Sequence, residues 1–96
     1  MRQLIVLGAT GSIGTQALEI AAAYPEDIRV AALTAHGNTA LLFEQVRQFR
    51  PQAAAVTSGE VAIPEDLTFC QWYFGPDALK DIVRDIPCDD VLVAVV

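Results

Sequence analysis

The chain has 96 residues, 53% of them hydrophobic, which suits one small core and is too short for two domains. Twelve acidic side chains against six basic ones give a net charge of -6. The six cations, Arg2, Arg29, Arg47, Arg50, Lys80 and Arg84, are scattered along the chain, which argues against a nucleic-acid or anionic-membrane surface.

In chain order, Gln3 to Leu7 (QLIVL) is a short branched apolar run closed by Gly8, and it predicts a strand buried on both faces. At four residues before Gly8, the apolar run Leu4 to Leu7 is too short for a signal-peptide core, and no later run reaches membrane-spanning length. Beyond the glycines, Ile13, Ala17, Ile20, Ala21 and Tyr24 share one face of a predicted helix that Pro25 ends. Arg29 to Ala35 (RVAALTA) predicts a second strand. Asn38 then stands where a helix needs its N-cap, with Leu42, Val46 and Phe49 as the inner stripe and Pro51 as the stop. Ala53 to Thr57 and Thr68 to Phe74 read as the third and fourth strands, and Ser58 to Pro64 as either a loop or one helical turn. Gly75-Pro76 opens a third helix with Leu79, Ile82, Val83 and Ile86 inward, and Asp90 to Val96 is the fifth strand.

Strands alternating with helices at this spacing imply right-handed βαβ units, hence an α/β, Rossmann-like parallel sheet with flanking helices. A fifth strand as apolar as LVAVV belongs in a sheet interior with helices over both faces. The expectation is therefore a truncated fold, residues 1–96 being the N-terminal part of a cofactor-binding domain in a longer protein. Cys70 and Cys88, eighteen positions apart with no CxxC and no nearby histidine, read as two buried thiols in a reducing cytoplasm.

The chemistry is concentrated in GATGSIG, residues 8 to 14, a G-x-x-G-x-x-G pattern set between a strand and a helix. Gly8 permits the tight turn, Gly11 lets the backbone approach a diphosphate, and Gly14 lets the helix pack on the strand. Backbone N–H groups around Gly11, Ser12 and Ile13, with the Thr10 and Ser12 hydroxyls, would form an anion cradle at the positive end of that helix. A P-loop is excluded because there is no GK[ST] and the only lysine is Lys80. Ser12 is not in a G-x-S-x-G elbow, and one histidine leaves little room for a Ser-His-Asp triad.

The second diagnostic position is the end of the second strand, where a carboxylate would bind the adenosine ribose of NADH. Here it reads Thr34-Ala35-His36-Gly37-Asn38, with no carboxylate between Arg29 and Glu44. His36 and Asn38, with backbone N–H groups at a helix start, fit a 2′-phosphate instead, so NADPH is favoured over NADH. The acidic pairs Glu26-Asp27, Glu65-Asp66 and Asp89-Asp90 read as solvated turns. No acid, base or metal-ligand constellation is visible, so no catalytic residue is expected in this chain.

The stretches LIVLGATGSIGTQALEI, YPEDIRVAALTAHGN and FRPQAAAV, followed by DDVLVAVV, resemble the N-terminus of the 1-deoxy-D-xylulose 5-phosphate reductoisomerases. The resemblance implies that Thr10, Gly11, Ser12 and Ile13 contact NADPH and that His36, Gly37 and Asn38 form the loop at its 2′-phosphate. Gly37 stands where members of the family often carry a basic residue, and Ser58 to Leu67 is shorter than the helix-bearing stretch of relatives. The family converts 1-deoxy-D-xylulose 5-phosphate to 2-C-methyl-D-erythritol 4-phosphate in non-mevalonate isoprenoid synthesis. By the same resemblance the divalent metal (magnesium or manganese), its ligands and the sugar-phosphate site lie beyond these residues, and the full-length enzyme is a cytoplasmic bacterial homodimer.

Two other readings compete. Another NADP-dependent oxidoreductase would need a nucleophilic cysteine in a catalytic loop or a Tyr-x-x-x-Lys pair, and neither Tyr24 nor Tyr73 has a lysine four residues on. A non-catalytic dinucleotide-sensing module would share the same fold.

Overall fold

The computed structural model describes residues 1–95. Five strands and three helices alternate along them: β1 (Arg2–Leu7), α1 (Ser12–Ala23), β2 (Ile28–Ala35), α2 (Thr39–Phe49), β3 (Ala53–Val56), β4 (Gln71–Phe74), α3 (Ala78–Asp85) and β5 (Asp90–Val93). All the pairings are parallel and the order across the sheet is β4-β3-β2-β1-β5. The α/β parallel sheet expected from the alternation is therefore present.

Two apolar layers sandwich the sheet. Val6, Leu33, Ala54 and Val56 join Leu18 and Ala21 of α1 and Leu42 and Val46 of α2 on one face. Ile5, Leu7, Ala53 and Ala55 join Ala78, Ile82 and Ile86 on the α3 side. Strand alternation sends neighbours to opposite layers, and β2 departs from it at one point. The register with β1 slips between Leu4 and Ile5, which pair with Val30 and Ala32. This irregularity places Val30 and Leu33 in the same layer although they are three residues apart.

Several expectations are corrected. On α1 the buried residues are Gly14, Leu18 and Ala21, while Ile13, Ile20 and Tyr24 are 55%, 57% and 56% exposed. Only Ala21 of the predicted face is buried. The true stripe lies one residue, about 100°, around the helix, because Gly14 rather than Ile13 meets the strand end. On α3, Ala78, Ile82 and Ile86 are buried and Leu79 packs beside them, but Val83 is exposed. Ser58 to Pro64 is loop, and a 3-10 turn at Glu65–Leu67 follows it. β4 begins at Gln71 rather than Thr68, since the Thr68 N–H and hydroxyl both donate to the Glu65 carbonyl and close that turn.

β5 ends at Val93, with the last expected residue, Val96, outside the described ones. Among the described residues it is an edge strand, with Val91, Val93 and Val95 exposed rather than interior. Cys70 is buried as expected, whereas Cys88 is only half-buried.

Exposed ion pairs tie the outer parts of the fold. The Arg2 guanidinium donates to both carboxylate oxygens of Asp90 at 2.7 and 3.0 Å, joining β1 to β5. Arg47 reaches Asp66 at 2.8 Å, and Arg84 reaches Asp85 at 2.8 Å. Hydrogen bonds from these arginines hold the Asp90, Asp66 and Asp85 carboxyls below the ordinary aspartate value of 3.8. A depressed folded-state value means that the contribution to stability is present above the unfolded value and is lost as pH falls through the folded one. Thermal melts taken from neutral pH down to about pH 2 are therefore expected to show Asp90→Asn less stable than the wild type near neutrality. The gap should close in acid; a gap that is the same at every pH would show that the ion pair contributes nothing.

Candidate cofactor-binding site

β1 ends at Leu7 and the chain reverses through Gly8, whose φ of +88° lies in the left-handed region that glycine tolerates. The position is also cramped. The Ala94 N–H donates to the Leu7 carbonyl at 2.8 Å, and a Cβ on Gly8 would stand 2.9 Å from the Ala94 carbonyl carbon. At Gly8 the turn thus lies directly against the backbone just beyond β5.

Strand order explains why this turn matters. From β1 the chain steps to β2, β3 and β4 in one direction, and α3 then returns it to β5 on the opposite side of β1. The order in which strands are added reverses between β1 and β5, and the crevice at the carboxyl ends of the strands beside such a reversal is where open α/β sheets bind ligands. Gly8 lies at its rim.

The three glycines answer to different constraints. At Gly14 a Cβ would strike the Gly8 carbonyl oxygen and sit 2.8 Å from the Ala9 Cα, so α1 packs directly on the turn. At Gly11 the backbone is ordinary (φ -79°, ψ 174°), and a Cβ would find nothing nearer than the Gly8 oxygen at 3.7 Å. The internal packing demands glycine at positions 8 and 14 and leaves position 11 open. That vacancy fits the close approach of an external diphosphate.

The start of α1 is equally receptive. Its N-cap is Gly11, with no capping side chain and no acidic residue in the first turn. The first helical bond runs from the Thr15 N–H to the Gly11 carbonyl, which leaves the Ser12, Ile13 and Gly14 N–H groups without intrahelical acceptors. The Gly11 N–H itself donates within the turn, to the Gly8 carbonyl at 3.3 Å. Ser12 and Ile13 are exposed, and Thr10 is half-buried.

Two residues outside the glycine motif hold the turn. Thr34, 1% exposed at the end of β2, accepts the Gly8 N–H on its hydroxyl oxygen at 2.9 Å and the Ala9 N–H on its carbonyl at 2.7 Å. Gln45 of α2 is buried and donates from Nε2 to the Ala9 carbonyl at 2.8 Å, while its Oε1 has no partner. Sequence reasoning treated Thr34 only as part of the β2 end and passed over Gln45. A glutamine between Leu42 and Val46 reads as a polar interruption, and its position on the buried stripe was the available clue.

The second loop follows β2 directly, so it lies at the same sheet edge two residues beyond Thr34. His36 is exposed, with Nδ1 2.9 Å from the Thr57 hydroxyl oxygen, and its carbonyl accepts the Ser58 N–H at 3.1 Å. Gly37 is surrounded by open space, and a Cβ there would meet nothing within 4 Å. The Asn38 side chain accepts the Leu41 N–H at 3.4 Å, as an N-cap should, so its amide oxygen is engaged with α2.

The acidic pairs do not join this edge. Asp90 is held by Arg2, Asp66 by Arg47, and Asp89 accepts the Gln3 N–H at 2.7 Å. Among the described residues no three His, Cys, Asp or Glu side chains gather as a cation cage. Burial pushes the Cys70 thiol up to about 12, so it stays protonated and unreactive at neutral pH. Clefts of about 320 Å³ beside Met1, Pro25 and Ile28, and of about 330 Å³ between α1 and α2, lie elsewhere. Neither presents the free backbone N–H groups of the turn.

The family model described as 1-deoxy-D-xylulose 5-phosphate reductoisomerase matches residues 4–96. The chain belongs to that family. The reductoisomerase of Phocaeicola vulgatus is 41% identical over 99 residues, which cover 99% of this chain and 26% of the relative. That of Gloeobacter violaceus is 57% identical over 58 residues, covering 60% of this chain and 15% of the relative. The Zymomonas mobilis reductoisomerase in complex with NADPH superposes with a TM-score of 0.82 at 27% identity, over 98% of this chain and 26% of that one. A reductoisomerase with NADPH, fosmidomycin and magnesium gives 0.83 at 26% identity, over 99% of this chain and 24% of that one. The chain thus spans about a quarter of the length of the Phocaeicola relative.

The glycine contacts generate a paired expectation. Gly14→Ala should lower stability by about 1–3 kcal/mol, the range for forcing atoms into a packed site, whereas Gly11→Ala should cost no more than about 1 kcal/mol. Urea denaturation of both variants checks this, and equal losses would contradict the division of roles among the glycines.

Proposed function

We propose that residues 1–96 form the front part of the NADPH-binding domain of a 1-deoxy-D-xylulose 5-phosphate reductoisomerase. The observation that carries this reading is the open Gly11 position beside uncapped N–H groups, set where the strand order reverses. Membership of the family supports it, as do the neighbouring structures that hold NADPH.

In this reading Gly8 and Gly14 shape the turn, Gly11 admits the diphosphate, and the Ser12 and Ile13 N–H groups donate to its oxygens. The Thr10 and Ser12 hydroxyls add donors. His36, Gly37 and Asn38 receive the 2′-phosphate. Engagement of His36 Nδ1 with the Thr57 hydroxyl leaves Nε2 for that phosphate. The bound NADPH supplies the hydride, and the rest of the chemistry belongs to parts of the enzyme other than these residues.

The whole enzyme converts 1-deoxy-D-xylulose 5-phosphate to 2-C-methyl-D-erythritol 4-phosphate as a cytoplasmic homodimer that uses magnesium or manganese. A neighbouring structure that contains magnesium and fosmidomycin supports the metal and a small-molecule substrate. No helix among the described residues is long and apolar enough to cross a membrane, which accords with that setting.

Calorimetric titration of the chain tests the cofactor. NADPH should bind at least about tenfold tighter than NADH, the worth of one charge-assisted hydrogen bond to the 2′-phosphate. Equal affinities would defeat the assignment of residues 36–38. Gly11→Val should abolish binding while the circular dichroism stays native, and wild-type affinity in that variant would reduce the turn to a structural role. Gly37→Lys has room for its side chain and should tighten NADPH without tightening NADH.

A further inference from the structure

Gln45, like Thr34, is a buried polar side chain whose one hydrogen bond among the described residues goes to the glycine turn. Its neighbours on the α2 stripe, Leu42 and Val46, are fully buried and apolar, and burying an amide whose Oε1 lacks a partner is unfavourable. An apolar residue would fill the same space without that penalty. What the glutamine adds is the bond from Nε2 to the Ala9 carbonyl at 2.8 Å.

That bond fixes more than one atom. The peptide between Ala9 and Thr10 is trans and planar, so its carbonyl and its N–H point in opposite directions. With the Ala9 carbonyl held toward α2, the Thr10 N–H must point away from α2. Among the described residues this N–H has no acceptor, while the adjacent Gly8 and Ala9 N–H groups are taken by Thr34 and the Gly11 N–H by Gly8.

We infer that Gln45 is a positioning residue that aims the Thr10 N–H into the anion cradle, adding a third backbone donor to those of Ser12 and Ile13 without touching the ligand itself. The inference rests on the NADPH reading above and assigns the diphosphate as the group received. Thr34 anchors the incoming side of the turn, and Gln45 sets the orientation of the peptide that follows.

Two substitutions test this in the full chain. Gln45→Met keeps the volume and removes the donor; NADPH should bind roughly tenfold more weakly, the equivalent of one hydrogen bond. Its Ala9 carbonyl carbon and Thr10 amide resonances should shift from their wild-type positions. Gln45→Glu places a carboxylate against the Ala9 carbonyl at neutral pH, and on protonation the acid can donate in place of the amide. Its NADPH affinity relative to wild type, compared at each pH, should rise as pH falls. Glu19, the charged residue lining the neighbouring cleft, is common to all the proteins and cancels in that ratio.

A purely packing role would give Gln45→Met wild-type affinity and Gln45→Glu a flat ratio, and either result overturns the inference. If the wild type itself binds no NADPH, the cofactor reading fails separately. The positioning role is then decided by the two resonances, and unchanged shifts in Gln45→Met overturn it.

Discussion

Everything at the working edge of this fold depends on how closely α1 packs on the end of β1. A side-chain carbon at Gly14 would strike the Gly8 carbonyl, and one at Gly8 would press on the Ala94 backbone. Three backbone segments, from β1, α1 and β5, therefore meet at a point where only hydrogen atoms fit. The contact sets both the angle of α1 and its rotation about its own axis. With Gly14 against the turn, Leu18 and Ala21 must face the sheet, one and two turns further on.

The other layers show the same reliance on small residues. β3 is three alanines and a valine, all fully buried, so this strand adds no long side chain to either layer and leaves that space to side chains from the helices and the neighbouring strands. Two aromatic contacts lie outside these fully buried positions. Trp72 packs edge-on against Phe43 with ring centroids 5.8 Å apart and donates from Nε1 to the Leu67 carbonyl. Arg50, which ends α2 in the left-handed region at φ 48°, lies 4.0 Å over the Phe69 ring.

The elements themselves were readable because apolar runs, glycines and prolines punctuate the sequence at the spacing of βαβ units. What pattern alone could not give was orientation. Ile13, Ala17, Ile20 and Tyr24 form a better apolar stripe on paper than Gly14, Leu18 and Ala21, yet the glycine contact decides, because hydrophobic periodicity gives glycine no weight. The irregularity in β2 was invisible for a related reason, since one shift of register leaves no mark in a run that is apolar throughout. At the site, the setting of the glycine motif between a strand and a helix was legible, and the two loops do lie at one sheet edge. Thr34 and Gln45 were not, because their importance lies in single hydrogen bonds to backbone atoms far away in sequence.

The two ends of the sheet are held by different physics. At the amino ends of β1 and β5 the ties are exposed and charged, Arg2 to Asp90 and the Gln3 N–H to Asp89. Such contacts weaken with salt and acid. At the carboxyl ends the ties are neutral and sheltered: Thr34 to Gly8 and Ala9, and Gln45 to Ala9. No titrating group takes part in them, so the geometry of the turn is insulated from the pH and ionic strength that loosen the opposite edge. The proposed anion-binding turn gains from that arrangement, because its donors are aimed by neutral hydrogen bonds while the Arg2–Asp90 pair stands at the opposite ends of the strands.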